Sequence, residues 1–198
     1  MNGFATLRSL VRKPEAREHC DLCGASLMAQ HPHLIDPVTR RLVCACDACT
    51  LLFYRSGETK YKRISRGTRR LDGFLLSEAQ WDSLMIPIGL AFFVKSSADG
   101  RVLAMYPSPA GAMESMLNLE AWTGIVEENP VLEAMETDVE ALLVNRLDRQ
   151  SEYYLSPIDK CYELVGLIRA NWRGLSGGNE MWGRIREFLD ELRDGSHA

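Results

Sequence analysis

Cys20-Asp21-Leu22-Cys23-Gly24 and Cys44-Ala45-Cys46-Asp47-Ala48-Cys49 hold five of the six cysteines of this 198-residue chain. Each stretch contains a Cys-x-x-Cys pair, whose short turn directs two sulfurs toward a common point. Two such pairs supply four thiolates, which is the number that a tetrahedral metal site requires. The spacing therefore predicts a metal ribbon over residues 16–54, and metal binding would provide most of the folding energy of so small a unit.

The predicted metal ligands are Cys20, Cys23, Cys46 and Cys49, because each pair then has the same loop length. Cys44 is left over on a predicted strand, on the same side as Cys46, so it is an alternative ligand, a further thiolate near the metal or a small buried residue. The buried interpretation is favoured because free cysteine is among the most buried residue types. A disulfide framework or a redox dithiol pair is less favoured than a metal site, because nothing in the sequence indicates secretion.

The identity of the metal is less well determined than the ligand set. Zinc and iron both accept four thiolates in a tetrahedron. A rubredoxin-like iron site usually has glycine after both turns, whereas here Gly24 follows the first pair and Thr50 follows the second. Zinc is therefore favoured, with iron as the alternative. Three nearby histidines could replace a sulfur, although such side chains more often pack against the site or donate to a thiolate: His19, His31 and His33.

The segments around the cysteines predict how the ribbon folds and where it ends. Apolar stretches at His33–Asp36 and Arg41–Cys44 predict a hairpin that returns the second pair to the first. Residues 55–70 then carry seven Lys or Arg and one acid. We interpret residues 55–76 as a basic linker or a protein-docking surface. Nucleic-acid binding is disfavoured because the whole chain has a net charge of -4, and nucleic-acid-binding domains are typically strongly basic.

Residues 77–198 have the mixed helix and strand patterns of an α+β domain. They predict a small antiparallel sheet covered by helices on one face. In the predicted order of domains, an N-terminal segment over residues 1–15, the zinc-ribbon-like module and the basic linker precede this α+β domain. The predicted strands cover residues 84–94, 102–106, 139–147 and 152–155, with an Asp-Gly turn before the second. The predicted helices cover residues 77–83, a segment with Met113 to Val126 on one face, and residues 157–171 and 180–193.

The charges of the chain are unevenly distributed. Residues 1–70 contain thirteen Lys and Arg against six Asp and Glu, whereas the remaining residues contain ten against twenty-one. This asymmetry predicts either an electrostatic interface between the two halves or a separate partner for each. The longest apolar run has eleven residues, too few to cross a bilayer, and no signal sequence is evident, so we expect a cytoplasmic protein with reduced thiols.

Eight stretches spread over nearly the whole chain carry a family resemblance: Cys20-Asp-Leu-Cys-Gly24, His31-Pro-His-Leu-Ile-Asp36, Cys44-Ala-Cys-Asp-Ala-Cys49, Leu51-Leu-Phe53, Tyr106-Pro-Ser-Pro-Ala-Gly111, Asp138-Val-Glu-Ala-Leu-Leu-Val-Asn-Arg146, Pro157-Ile-Asp-Lys-Cys-Tyr162 and Asn171-Trp-Arg-Gly-Leu-Ser-Gly-Gly178. They resemble a family of uncharacterised bacterial proteins encoded beside genes for uptake nickel–iron hydrogenases. The resemblance implies an accessory role in hydrogenase assembly or electron transfer. It implies no activity for individual residues.

Three functional hypotheses follow from these observations. The favoured one is a non-catalytic accessory protein that docks a hydrogenase subunit or a maturation factor, because a closed four-thiolate site leaves no open metal position for a substrate. The sequence also lacks dinucleotide-binding, phosphate-loop and nucleophile-elbow motifs, so we do not predict an enzyme. The alternative is a rubredoxin-like iron electron carrier. A further alternative is a zinc-ribbon protein that binds nucleic acid through residues 55–70.

Overall fold

The computed structural model describes residues 18–54, 60–115, 119–147, 150–173 and 178–196. The predicted N-terminal segment, residues 1–15, and the first part of the predicted linker, residues 55–59, lie outside the described residues. In the described residues, an N-terminal cluster of cysteines accompanies helices and antiparallel sheets. The α+β prediction is therefore confirmed.

The described residues contain nine strands, five α-helices and one 3-10 helix. The strands are β1 (His33–Asp36), β2 (Arg41–Cys44), β3 (Lys62–Arg63), β4 (Arg69–Arg70), β5 (Leu90–Ser96), β6 (Arg101–Ser108), β7 (Gly111–Ser115), β8 (Glu140–Asn145) and β9 (Glu152–Pro157). The helices are α1 (Asp47–Tyr54), α2 (Glu78–Ser83), α3 (Leu119–Glu128), the 3-10 helix (Pro130–Ala134), α4 (Ile158–Asn171) and α5 (Gly178–Gly195).

The first sheet has three strands in the order β2-β1-β3. The predicted hairpin of β1 and β2 is present, and the Asp36 carboxylate closes its turn by accepting hydrogen bonds from the backbone N–H groups of Val38 and Thr39. The third strand comes from the segment interpreted as a linker, because β3 pairs with β1. We call residues 18–54 together with β3 the cysteine module.

The second sheet has six strands in the order β4-β9-β8-β5-β6-β7, and every pairing is antiparallel. The predicted Asp-Gly turn joins β5 to β6, with Gly100 at a φ of +63°. The helices predicted over residues 77–83, 157–171 and 180–193 are present as α2, α4 and α5. Ser77 forms a complete capping box with Gln80 at the start of α2.

Two predicted elements differ from the structure. The apolar run 84–94 was expected to be one strand, but Leu84 is the C-cap of α2 and the strand begins only at Leu90. Between these two points Met85 and Ile88 are exposed, so the apolar composition of the run does not mark where the buried strand begins. The segment around Met113 was expected to be helical, but it belongs to β7 and lies opposite Tyr106 of β6. Pairing along β6 satisfies its backbone groups and outweighs the helical spacing of its apolar residues.

The prediction that helices cover one face of the main sheet is wrong, because helices pack on both faces. Phe92 lies in the core with α4 and α5, while its neighbour Phe93 lies in the core with α2 and α3, where it stacks on Trp122 at a ring-centroid distance of 5.1 Å. Consecutive residues of a strand point to opposite faces, so the unbroken apolar run of β5 reflects burial on both sides.

The cysteine module shares a core with the main sheet. Ile35 of β1 and Ile64, next to β3, belong to the same buried cluster as Phe92 of β5 and Ile158 of α4. The two parts of the chain therefore stabilise each other through apolar contacts as well as through charges.

Candidate metal centre

The four predicted ligand cysteines converge on one point. Their sulfurs all lie within 4.8 Å of one another, and the sulfurs of Cys23 and Cys46 are 3.7 Å apart. A tetrahedron with zinc–sulfur bonds of about 2.3 Å has a sulfur–sulfur edge of about 3.8 Å. The spacing of the sulfurs is therefore compatible with one bound metal ion. We call the sulfurs of these residues the four-sulfur group: Cys20, Cys23, Cys46 and Cys49.

The first cysteine pair lies on a tight turn that precedes β1. The N–H of Gly24 donates to the carbonyl of Cys20 at 2.8 Å, and the N–H of Cys20 donates to the carbonyl of Ala25 at 2.8 Å. Gly24 has a φ of +75°, a conformation that side chains with a Cβ rarely adopt. Glycine is therefore the residue best suited to the exit of this turn.

The second pair lies at the N-terminus of α1 instead of on a turn between strands. Cys46 precedes the helix, and Cys49 lies in its first turn with its N–H directed at the Cys46 sulfur at 3.5 Å. Thr50 continues the helix, because its N–H donates to the carbonyl of Cys46 at 2.9 Å. A helix needs no left-handed residue at this point, which explains why a β-branched residue follows Cys49. The positive end of the helix dipole also favours thiolates there.

The pKa values of the sulfurs diverge within the group. Burial raises the pKa of Cys20, but hydrogen bonds from the backbone N–H groups of Cys46, Leu22 and Cys23 outweigh burial and lower it to about 6. Burial raises the pKa of Cys49 to about 12, and the neighbouring sulfurs add to this increase. Four negative charges so close together repel one another, and a divalent cation would remove that repulsion.

Cys44 lies outside the four-sulfur group. It ends β2 directly opposite His33, is partly exposed, and exchanges two hydrogen bonds with Asp21: the Cys44 N–H donates to the Asp21 carboxylate at 2.8 Å, and the Asp21 N–H donates to the Cys44 carbonyl at 2.9 Å. Burial, then the charges of Asp21 and Glu18, raise the pKa of its thiol.

A second set of candidate ligand atoms surrounds Cys44. Its sulfur and one ring nitrogen each of His31 and His33 lie within 4.8 Å of one another. We call these three residues the histidine–cysteine group. His19, by contrast, pairs with Ser26 in an isolated β-bridge and belongs to neither group. From the sequence, the two histidines were expected to replace a sulfur or, more often, to pack against the four-sulfur site or donate to a thiolate. The hairpin register instead places His33 opposite Cys44.

The comparisons with known proteins identify the family of the chain. Residues 19–196 match a family described as a family of unknown function (DUF5947). The chain belongs to this family. The matched region of this DUF5947 member includes both candidate ligand groups and both sheets. No curated protein and no solved structure matches the chain.

Two lysines of the basic segment of this DUF5947 member form ion pairs within the molecule. Lys60 lies 3.6 Å from the carboxylate of Asp36, and Lys62 lies 2.6 Å from that of Asp138. Arg40 of the hairpin turn lies 3.4 Å from Asp99. The pairs of Lys62 and Arg40 join the basic half of the chain to the acidic half, so the predicted electrostatic interface between the halves is present.

Two further observations concern the helices and the reactive side chains of this DUF5947 member. None of the helices in the described residues combines the length and the apolar composition needed to cross a bilayer. Among those residues, nothing points to catalysis, and the chemically distinctive features are the two groups of candidate metal ligands.

Proposed function

We propose that the protein is a non-catalytic accessory protein in which the four-sulfur group binds zinc and the metal-stabilised module docks a protein partner. The observation that carries the proposal is the convergence of four sulfurs within 4.8 Å of one another, a spacing compatible with one tetrahedral metal ion. Four protein ligands complete the coordination of zinc and leave no position for a substrate, which favours a structural role.

Zinc would join two segments that are separate in the chain. Cys20 and Cys23 lie before β1, whereas Cys46 and Cys49 lie at the start of α1, so one ion would fix the direction of α1 relative to the hairpin. Helix α1 exposes a pair of adjacent leucines, and the side chain of Leu51 is 57% accessible. Adjacent exposed apolar residues on a rigid helix are typical of docking surfaces.

The family resemblance described above supports a hydrogenase subunit or a maturation factor as the partner. Nucleic acid is disfavoured as a partner because Lys60, Lys62 and Arg70 of the basic segment are paired with carboxylates of the protein itself. Phosphate contacts would have to compete with these internal pairs.

Metal analysis tests the zinc assignment. The full chain would be purified without added metal and dialysed against a weak chelator. We expect one tightly held zinc per chain, no visible absorption, and loss of this zinc in Cys20→Ser and in Cys46→Ser. Cys161→Ala is the matched control, because the buried thiol of Cys161 lies in the main core, away from the four-sulfur group.

An iron electron carrier is the second candidate, and the exposure of Cys23 favours it because an accessible sulfur shortens the path for electron transfer. Tightly held iron, with a red thiolate absorption that bleaches reversibly on reduction, would establish the carrier and overturn the zinc assignment. Absence of any tightly held metal would overturn both candidates.

Co-purification tests the docking surface. The tagged chain would be co-expressed with the subunits and maturation factors of an uptake nickel–iron hydrogenase, and its partners would be identified by mass spectrometry. We expect Leu51→Glu to lose the partner and Leu75→Glu to keep it, because Leu75 is 56% accessible but lies outside the cysteine module. Equal retention of the partner by both variants would place the docking surface elsewhere.

A further inference from the structure

The histidine–cysteine group is built by the hairpin of the cysteine module. His33 begins β1, Cys44 ends β2, and the two residues face each other in the register. His31 lies two residues before His33 in the chain, and the two rings meet edge to face at a centroid distance of 4.8 Å. One nitrogen of each ring and the sulfur all lie within 4.8 Å of one another. Imidazole nitrogen and thiolate sulfur are both good ligands for borderline divalent metals.

Both imidazoles are already oriented by an acceptor at Nδ1. The carbonyl of Met28 lies 2.9 Å from Nδ1 of His31, and the carboxylate of Asp159 lies 2.7 Å from Nδ1 of His33. Carbonyl and carboxylate oxygens only accept hydrogen bonds, so each Nδ1 carries a proton, and it is Nε2 of each ring that can offer a lone pair to a metal. Histidines that bind metals are held in this way, with the second nitrogen donating to a carbonyl or a carboxylate.

The burial of His31 adds an independent observation. Its side chain is 6% exposed, and its Nε2 is buried with no hydrogen-bond partner among the residues that the structure describes. A buried polar nitrogen without a partner destabilises a fold, because it has lost its bond to water and gained none. A metal ion at Nε2 would supply the missing interaction.

Two of the three residues of the group border a cleft at the surface. His31, His33 and Asp159 line a cleft of about 680 Å³ between the module and α4. Three protein ligands leave a fourth tetrahedral position free, and here that position can face the cleft. Sites of this kind exchange their metal or accept an external ligand, whereas sites with four protein ligands are closed.

We propose that His31, His33 and Cys44 form a second, exchangeable metal site that binds a borderline divalent transition-metal ion such as Zn²⁺ through two Nε2 atoms and one thiolate. Binding replaces the thiol proton of Cys44, which is released to solvent. Asp159 is a positioning residue, since it orients His33 without touching the metal. The site is separate from the four-sulfur group and does not depend on the accessory role proposed above.

Cobalt titration tests this second site. The full chain carrying its tightly held zinc would be titrated with Co²⁺, whose absorption reports thiolate ligation. We expect one additional Co²⁺ per chain with a thiolate-to-metal absorption band, and X-ray absorption at the cobalt edge should show two nitrogen ligands and one sulfur ligand from the protein. A cobalt spectrum with four sulfurs would mean exchange into the four-sulfur group and would overturn the proposal.

Single-residue variants distinguish this site from a structural cluster. Cys44→Ala should abolish the absorption band, and His33→Ala should weaken Co²⁺ binding at least tenfold. Asp159→Asn should weaken it about 10–100-fold while keeping the stoichiometry and the band. His19→Ala is the matched control and should bind Co²⁺ as the unmodified chain does, because His19 lies outside the group.

Retention of the tightly held zinc shows that each variant is folded, and it separates the two proposals. If His33→Ala loses that zinc, the test of the second site depends on Cys44→Ala alone, because this substitution removes only the sulfur atom of the side chain. No additional Co²⁺ in the unmodified chain, or binding that survives both Cys44→Ala and His33→Ala, would overturn the second site. Neither result bears on zinc binding by the four-sulfur group, because that proposal is tested separately by the loss of zinc from Cys46→Ser.

Discussion

Gly24 shows how one residue without a side chain permits a metal turn to form. Its φ of +75° lies in the left-handed region, and among the described residues, apart from its two chain neighbours, no heavy atom lies within 4 Å of the position that a Cβ would occupy. The requirement for glycine is therefore conformational and not steric. An alanine would fit the space but would strain the backbone of the turn that holds Cys20 and Cys23.

We expect Gly24→Ala to lower the free energy of unfolding of the zinc-bound protein by about 1 kcal/mol and to weaken zinc retention. Chemical unfolding and competition with a chelator would measure the two effects. Gly183→Ala is the control, because Gly183 lies within α5 with open space around it and alanine should stabilise a helix interior by up to about 1 kcal/mol. A Gly24→Ala protein as stable as the unmodified chain would contradict this explanation.

Asp138 is a buried carboxylate that joins the two halves of the chain. It accepts hydrogen bonds from Lys62 at 2.6 Å and from the backbone and the hydroxyl of Ser97 at 2.7 and 2.6 Å. Burial raises the pKa of Asp138, but these hydrogen bonds outweigh burial and lower it below its ordinary value. A carboxyl with a lowered pKa stabilises the folded state above its unfolded pKa of about 3.9, and this contribution is lost as the pH falls through the folded-state value.

We expect Asp138→Asn to lower the free energy of unfolding by about 1–3 kcal/mol at pH 7, and the difference from the unmodified chain should shrink below about pH 4. Asparagine tolerates the φ of +72° at this position, so the substitution tests the charge and not the backbone. Urea unfolding at both pH values would measure it. Asp72→Asn, at an exposed ion pair with Arg70, should change stability little at either pH.

At the scale of elements, Gly89, just before β5, lies close to Arg146, just after β8. The Gly89 carbonyl accepts a hydrogen bond from the N–H of Arg146 at 2.6 Å, and a Cβ on Gly89 would lie 2.7 Å from the backbone oxygen of Arg146. Backbone atoms cannot move aside as a flexible side chain can. The two central strands can therefore approach each other this closely at this end only because residue 89 is a glycine.

We expect Gly89→Ala to destabilise the protein by about 1–3 kcal/mol, because the two strands must separate locally. Gly124→Ala in α3 is the matched control, since nothing lies within 4 Å of its added Cβ. Thermal unfolding of both variants would compare them. Equal stability of the two variants would show that the strands accommodate the methyl group without cost.

The elements that could be predicted from the sequence are those with local signals. The β1–β2 hairpin, the capped start of α2 and the Asp-Gly turn each depend on residues close together in the chain. Strands β3 and β4 have two residues each, too few for a periodic pattern, and they exist because longer strands pair with them. Strand β7 was missed for a different reason: it forms a tight hairpin with β6, in which Ser108 lies opposite Gly111, but the apolar residues from Met113 onward have helical spacing.

The two candidate ligand groups also differ in whether they could be predicted from the sequence. Cys-x-x-Cys spacing is a local signal, and the four sulfurs lie together as the spacing predicts. The histidine–cysteine group depends on the hairpin register and on Asp159, which lies 126 residues from His33 in the chain. No local sequence pattern predicts that Asp159 approaches His33. Only the packing of α4 against the module brings the carboxylate to the imidazole.

At the scale of the whole molecule, the cysteine module and the main domain contribute to one core. Ile35 and Ile64 pack with residues of β5 and α4, and the pair of Lys62 and Asp138 spans the two parts. Loss of the metal from the four-sulfur group should therefore affect stability beyond the module. The main domain keeps its own helices on both faces of the sheet and should survive.

We expect Cys46→Ser to expose the module to proteases, while a fragment corresponding to the main domain persists with a lowered melting temperature. Limited proteolysis read by mass spectrometry, together with thermal unfolding, would show both effects. Cys161→Ala serves again as the control, because it alters the main core and leaves the four-sulfur group intact. A Cys46→Ser module that stays resistant to proteases would show that the module folds without its metal.

The order of the strands also restricts how this molecule can assemble. At one edge of the main sheet, β4 offers only two residues. At the other edge, Glu114 of β7 forms ion pairs with Arg101 and with Arg40 of the module's hairpin turn, which places charge along that border. Short or charged borders discourage a foreign chain from extending a sheet by backbone pairing. Complexes of this protein should therefore form through side-chain surfaces, and fibrous aggregation by strand addition should be suppressed.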